Sequence, residues 1–437
     1  MRELTRLPGA RLVLHAALVV AIWVGMTWVN NAVDPLMNYY IALVAMYATA
    51  MFGMVILVGM SGQVSLGNGA LMAIGGYLFA LTTLNWETVP ILGTPMNAIW
   101  AMAFAAVGGL VFGLLIGVLG ARLRGPYLAG LTLGIAVGIP AIANRFPDLF
   151  GGETGLQITV PYPDGGYAPV AEEGVDQFVE EVPTGQDPLT SAAPSAGSDD
   201  LLTVDNFPSG DASVSPDDLL TVDNFPSDGA TPDPSGLDVT GIDPGSTDLS
   251  GGTDGLDVGF IIERWQASLA VAVACIVGFV ALNLVRGRQG RVWRAVRDDP
   301  VAAAVSGISP AGSKVSAFVV SSLFAALAGA VFAQILAYVG PGAFGLGLSL
   351  SLLVGIVLGG RSSLIGAIIG AVLLVWLPEF VLSLSNDRGW NEQVTNNAPN
   401  LIYGLLVVLV VLIAPGGIVG TLQALVSSLV SRASRNR

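Results

Sequence analysis

The chain has 437 residues, 53% of them hydrophobic, a single cysteine and a formal net charge of −14, with a mean hydropathy of +0.70. That apolar share exceeds a soluble domain's, and it comes in blocks long enough to cross a bilayer, which excludes a soluble enzyme and gives no footing for a nucleic-acid partner. The charge is unevenly placed: residues 146–260 hold 23 of the 32 acids and no Lys or Arg, so the remainder sets 9 acids against 18 bases.

Arg2, Arg6 and Arg11 precede an apolar run over 12–29. The run is too long for a signal-peptide core and no small-x-small cleavage site follows it, so it predicts an uncleaved first span with a cytoplasmic amino terminus. His15, the one histidine, sits a turn into this span. It is expected to pack or to lie at the interface, because metal sites need several donors. Cys275 lies inside an apolar block and is expected to be a small core residue.

A second span is expected over 38–60. Behind it, SGQVSLGNGALMAIGGYLFALTTL (61–84) interleaves Ser61, Gln63, Ser65 and Asn68 with Gly62, Gly67, Gly69, Gly75 and Gly76. Backbone that leaves the helix is tolerated in a bilayer only where protein or a water-filled cavity satisfies it, so a broken helix lining a pathway is one expectation here. Ser61, Gly62, Gln63, Ser65, Gly67 and Asn68 are then the candidate pathway residues. Close helix approach through small residues is the other. The next span, 97–119, carries Gly109, Gly113 and Gly117 at four-residue intervals, a small-xxx-small packing pattern. Arg122 and Arg124 mark a cytoplasmic loop, and the span over 126–144 repeats the interval with Gly130, Gly134 and Gly138.

Residues 146–260 are rich in Pro, Gly, Ser, Thr and Asp, and the unit DDLLTVDNFPS occurs identically at 199–209 and 217–227. Two copies are too few for a solenoid and too polar to bury a core, so a disordered acidic insert is expected, lying outside the cell. Its acids lack the spacing of a calcium loop, and a solvated polyanion is the expectation.

After a span over 261–285 comes the polar stretch RGRQGRVWRAVRDDPVAAAVSGISPAGSK (286–314). Arg291, Arg294 and Arg297 recur every three residues and predict one basic side of a short helix. Asp298 and Asp299 before Pro300 form a helix start, Gly307 a helix end, and Ser309-Pro310 another start. Two short helices outside the membrane are expected, although arginines in such a loop also serve as plain topology signals. Spans over 314–337, 340–360 and 363–384 follow, then a polar outside loop (387–400), a last span entered at 401–414 and a tail bearing Arg432, Arg435 and Arg437. Ten spans with both termini cytoplasmic place every cluster of basic residues just named on one side and the insert on the other. The expected architecture is an all-α polytopic membrane protein: an amino-terminal half (1–145), the insert (146–260), a carboxy-terminal half (261–420) with the loop 286–313, and a basic tail (421–437).

Several of these stretches resemble one family. GRVWRAVRDDPVAAAVSGISPAGSKVSAFVVSSLFAALAGAV (290–331) is similar to the coupling-loop region of branched-chain amino acid permeases of ABC importers. SGQVSLGNGALMAIGGY (61–77), LRGPYLAGLTLGI (123–135) and residues 340–360 resemble further segments of that family, as do the turns GGETGL (151–156) and GGTDGL (251–256). The chain departs from the pattern with Asn68 where histidine is frequent and Gly69 where alanine is. The resemblance implies that Gly290, Arg291, Arg294, Ala295, Arg297, Asp298, Asp299, Ala303 and Gly307 belong to short helices that dock on an ATPase. It implies further that the segment from Ser61 lies beside the translocation route.

The implied protein is a permease subunit without activity as an enzyme, working by alternating access on a branched-chain amino acid or similar small solute. Its implied partners are two ATPase subunits, a second homologous permease and an extracytoplasmic binding protein. No GxxxxGK[ST] loop occurs in the sequence, so the implied ATP and magnesium belong to the partners, and the chain itself is expected to hold no cofactor and no metal. A urea or other small-solute permease of the same family is an alternative cargo reading. An ion-coupled carrier is another class, although its candidate groups Asp34, Glu87, Glu379 and His15 fall near span ends. A structural membrane protein displaying the acidic loop is a third.

Overall fold

A computed structural model describes residues 10–158, apart from 87, 90–93, 95–96 and 124–125, then 254–387, and the scattered positions 401–402, 404–405, 412 and 417–421. The repeated acidic units, most of the last expected span and the terminal arginine clusters lie outside the described residues. The described chain is helical: α1 (Ala10–Ala32), α2 (Pro35–Met54), α3 (Asn68–Asn85), α4 (Ala98–Ala121), α5 (Pro126–Arg145) and the short α6 (Pro147–Phe150) form the first half. The second half holds α7 (Asp254–Arg286), α8 (Arg288–Asp298), α9 (Pro300–Val305), α10 (Pro310–Leu336), α11 (Leu346–Gly359) and α12 (Leu364–Asp387).

Among the described residues, 8 helical stretches are long and apolar enough to cross a membrane. The protein is an all-α polytopic membrane protein. The span expected over 61–84 differs from the expectation in form. Helix α2 runs on through a π-helical stretch, Val55–Met60, and the chain becomes helical again only at Asn68. Gly62, at φ +70°, makes the break, in a backbone conformation that side chains with a Cβ rarely adopt.

Helix α10 is the hub of the bundle and packs against α4, α3 and α2. Its buried face is built from small residues, among them Ser321, Ser322, Ala325, Ala326 and Gly329. In a bilayer, where lipid tails are as apolar as leucine, such faces gain stability by bringing helices close. At the α3–α10 crossing the approach is so tight that a Cβ on Gly75 would meet the Ala326 backbone, and one on Gly329 the Met72 backbone. The α4 stripe packs the same helix: Gly109 faces Ala326, Gly113 faces Ser322 and Gly117 faces Phe318. The α5 stripe is not used this way among the described residues, where nothing lies within 4 Å of a Cβ on Gly130, Gly134 or Gly138. Burial follows this layout: 72% of the apolar window of α2 is inside the protein, against 6% for α1.

Beyond α5 the chain turns back and pairs strand β1 (Leu156–Gln157) antiparallel with β2 (Tyr338–Val339), directly after α10. Leu156 opposes Val339, Ile158 N donates to Ala337 O at 2.8 Å, and the Phe150 ring meets Tyr77 of α3 edge-on at 5.2 Å. Residues 146–158, expected in the insert, are therefore anchored to the body by backbone pairing and an aromatic contact. Residues 254–260 likewise belong to the start of α7. The similar turns GGETGL and GGTDGL consequently differ, the first docking through β1 and the second entering a helix at Asp254.

Candidate functional site

The helix break and the amphipathic pair α8–α9 meet at one end of the bundle. In the break, Ser61 N donates to Ile56 O, the five-residue bond that closes the π-helix, and Gln63 N reaches back six residues to Leu57 O, each at 3.0 Å. Ser61 Oγ donates to Leu57 O at 2.7 Å, and Gln63 Nε2 donates both to Ser61 Oγ at 2.8 Å and to Lys314 O of α10 at 3.2 Å. Leu66 N donates to Thr132 Oγ1 of α5 at 3.0 Å, and Gly69 N to Ser349 Oγ of α11 at 2.9 Å. Three other helices thus supply the partners that an interrupted helix lacks, as a low-dielectric setting requires. Ser61, Gln63, Ser65 and Asn68 are all buried. Both amide atoms of Asn68 are without a hydrogen-bond partner among the described residues.

Helix α8 lies with one face inward. Gly290, Trp293 and Val296 are buried, at the three-residue spacing of a helix face. The Trp293 side chain is fully buried and its Nε1 donates to Ser316 Oγ of α10 at 3.0 Å, an acceptor shared with Gln289 Nε2. Gly290 sits where a Cβ would strike the Val285 carbonyl at the end of α7. Asp299 caps α9, its Oδ1 accepting from Val301 N at 2.8 Å and Ala302 N at 3.0 Å, with Pro300 in the first turn. Gly307 follows at φ +80°, and Ser309 Oγ accepts from Gly312 N to open α10. Ala303 is the buried contact of α9, whereas Val301 and Val305 are 71% and 87% exposed.

The three arginines of α8 follow one another at three-residue spacing beside its buried face but meet different partners. Arg291 is exposed, and Arg294 is half-buried with its Nε donating to Gly290 O. Arg297 turns inward: its Nη1 donates to Gly59 O at 2.6 Å, and its Nε and Nη2 both reach Asp298 Oδ1. The carbonyls at the end of α2 lack intrahelical donors, and a guanidinium satisfies one of them while the aliphatic stem lies over Gly62. A Cβ on Gly62 would come within 2.7 Å of Arg297 Cγ.

The break and the arm line one cavity of about 520 Å³, with Ser61, Gly62 and Gln63 on one wall and Val296, Arg297 and Pro300 on another. Leu128 of α5 and Lys314 of α10 also line it, so the chamber carries two cationic residues, uncharged polar groups and apolar walls. Sequence reasoning placed these two stretches separately. Nothing in either one signals that Arg297 bridges them, because the contact joins residues 238 positions apart. Ala295, Asp298 and Gly307 remain exposed on the arm, and Ser65, Gly67 and Asn68 lie beyond the cavity lining. No group of three or more metal-ligating side chains occurs among the described residues.

Residues 36–415 match the family model described as "Branched-chain amino acid transport system / permease component". The chain belongs to that family. It is 34% identical over 158 residues to the high-affinity branched-chain amino acid transport system permease proteins LivM of Salmonella typhimurium and Escherichia coli, an overlap covering 36% of this chain and 34% of theirs. It is 32% identical over 145 residues to the autoinducer 2 import system permease protein LsrC of an Enterobacter species, covering 32% of this chain and 41% of that one. The aligned part thus spans about a third of the LivM length. No solved structure matches the chain. Family membership together with the apolar helices makes this a multi-pass membrane permease component.

Proposed function

We propose that the chain is the translocating subunit of an ABC importer, moving a branched-chain amino acid or a similar small polar solute by alternating access. Two partner ATPases hydrolyse ATP with magnesium, a second homologous permease completes the channel, and an extracytoplasmic binding protein delivers the solute. The arm side is then cytoplasmic. The observation that carries this reading is the build of the arm. Trp293 and Val296 fix α8 to the bundle, Arg297 ties it to the end of α2 beside the helix break, and Ala295, Val301 and Val305 are left outward for a partner. An element held on one side and exposed on the other can pass a displacement from a docked motor to the backbone at Gly59 and Gly62. The cargo reading draws on the LivM names, and the LsrC names point to other small solutes within the same class.

The test is Ala295→Glu, which places a charge on the outward face without touching a buried contact, alongside deletion of 291–299. Uptake by the assembled transporter and copurification of the ATPases are measured together. Loss of coupling between ATP hydrolysis and uptake, with normal membrane insertion, is the expected result. A variant that copurifies with its ATPases and transports at the wild-type rate removes the assignment.

A further inference from the structure

A second cavity, of about 560 Å³, lies between α1, α2, α7 and α12. Leu18 and Ile22 of α1, Phe52 of α2, Gly278 of α7, and Ile368 and Trp376 of α12 are among its walls, and no charged or amide side chain lines it. It is an open groove, with Leu18, Ile22 and Ile368 54%, 52% and 44% exposed, and its apolar walls need an apolar cover. Water is a poor filler for it, because apolar cavities without polar partners stay dry. The lining runs from Val271 to Leu282 on α7 and from Leu364 to Trp376 on α12. At 1.5 Å per residue that is about 17–18 Å, close to the ~15 Å of one leaflet's hydrocarbon.

One end of this groove is basic. Arg286 lies one turn beyond Leu282 on α7, and Arg361 three residues before Leu364 on the opposite wall, both exposed on the arm side. Arg286 is held in place, since its Nη1 donates to His15 Nε2 at 3.1 Å while His15 Nδ1 donates to Asn283 Oδ1 at 3.1 Å. That chain ties α1 to α7 and engages one of the five N–H donors of the guanidinium, leaving the fork for an oxyanion.

We propose that the groove holds an acyl chain of an anionic phospholipid from the arm-side leaflet, with its phosphate against Arg286 and Arg361. A single groove thus offers a hydrocarbon slot one leaflet deep and a cationic mouth at the depth of the headgroups. The lipid replaces the packing that α1 lacks on its α12 side.

Native mass spectrometry of the full chain, purified in mild detergent and offered dioleoyl phosphatidylglycerol or dioleoyl phosphatidylcholine, tests this directly. The wild type is expected to retain phosphatidylglycerol preferentially. R286Q and R361Q should each lower that retention about fivefold, the factor for ~1 kcal/mol per basic residue near an anionic surface, and leave phosphatidylcholine unaffected. Ile368→Trp, which fills the slot, should lower retention of both lipids. The wild-type comparison needs no variant, so a variant that fails to fold leaves the test intact. Equal retention of the two lipids by the wild type overturns the proposal. So does crosslinking of Ile22→Cys or Ile368→Cys to a helix of another subunit in the assembled transporter, because protein would then cover the groove.

Discussion

Helices α4 and α5 carry the same signature, three glycines at four-residue intervals, and use it in opposite ways. Gly109, Gly113 and Gly117 let α4 settle against α10, whereas Gly130, Gly134 and Gly138 meet no neighbour among the described residues. A glycine stripe grants permission for close approach, and whether the permission is used depends on which helix the topology delivers. The arm repeats the contrast on a smaller scale, with α8 closed over Trp293 and α9 open at Val301 and Val305.

The largest expected effect is at the closed end of this contrast. Trp293→Ala removes a fully buried ring and its bond to Ser316, and should cost about 3–5 kcal/mol, seen as a marked fall in the thermal unfolding midpoint in detergent. Next, Gly113→Leu forces a side chain into Ser322 of α10 and should cost about 3 kcal/mol by the same measurement. Arg297→Ala should cost about 1–2 kcal/mol, because it strips a charged donor from Gly59 O on a side chain that is 36% exposed. Asp299→Ala should cost about 1 kcal/mol of local order in α9, read by hydrogen exchange at Val301 and Ala302, whose amides lose their acceptor. Gly134→Leu should stay within about 0.5 kcal/mol of wild type in the isolated chain. If Gly134→Leu instead falls as far as Gly113→Leu, α5 is packed in the isolated chain and the contrast collapses.

Local chemistry was legible in the linear chain. Asp299 before Pro300, Gly307 and Ser309 each occupy the helix boundary that their spacing indicates, since capping is settled within four residues. After the second span the serines, glutamine and glycines left two readings open, a broken helix or a helix packed closely through small residues, and the structure shows the break at Gly62 and close packing at Gly75. The extent of the break was not legible: the chain resumes as helix at Asn68, where Ser349 meets Gly69 and Thr132 meets Leu66. The three-residue spacing of Arg291, Arg294 and Arg297 suggested one basic side. What the spacing cannot show is the reach of a long side chain, by which Arg297 bends over Gly62 to the Gly59 carbonyl.

By itself, the sequence determined that this chain is a helical membrane protein with a capped polar arm. Hydropathy, helix capping and turn chemistry act over a few residues and need no partner to be recognised. Only the tertiary structure decided that break and arm share one chamber, that one glycine stripe is filled while its twin meets no neighbour among the described residues, and that residues 146–158 pair with the strand after α10. These outcomes depend on contacts between residues far apart in the chain, and such contacts are fixed by how the helices pack together, which no local pattern encodes.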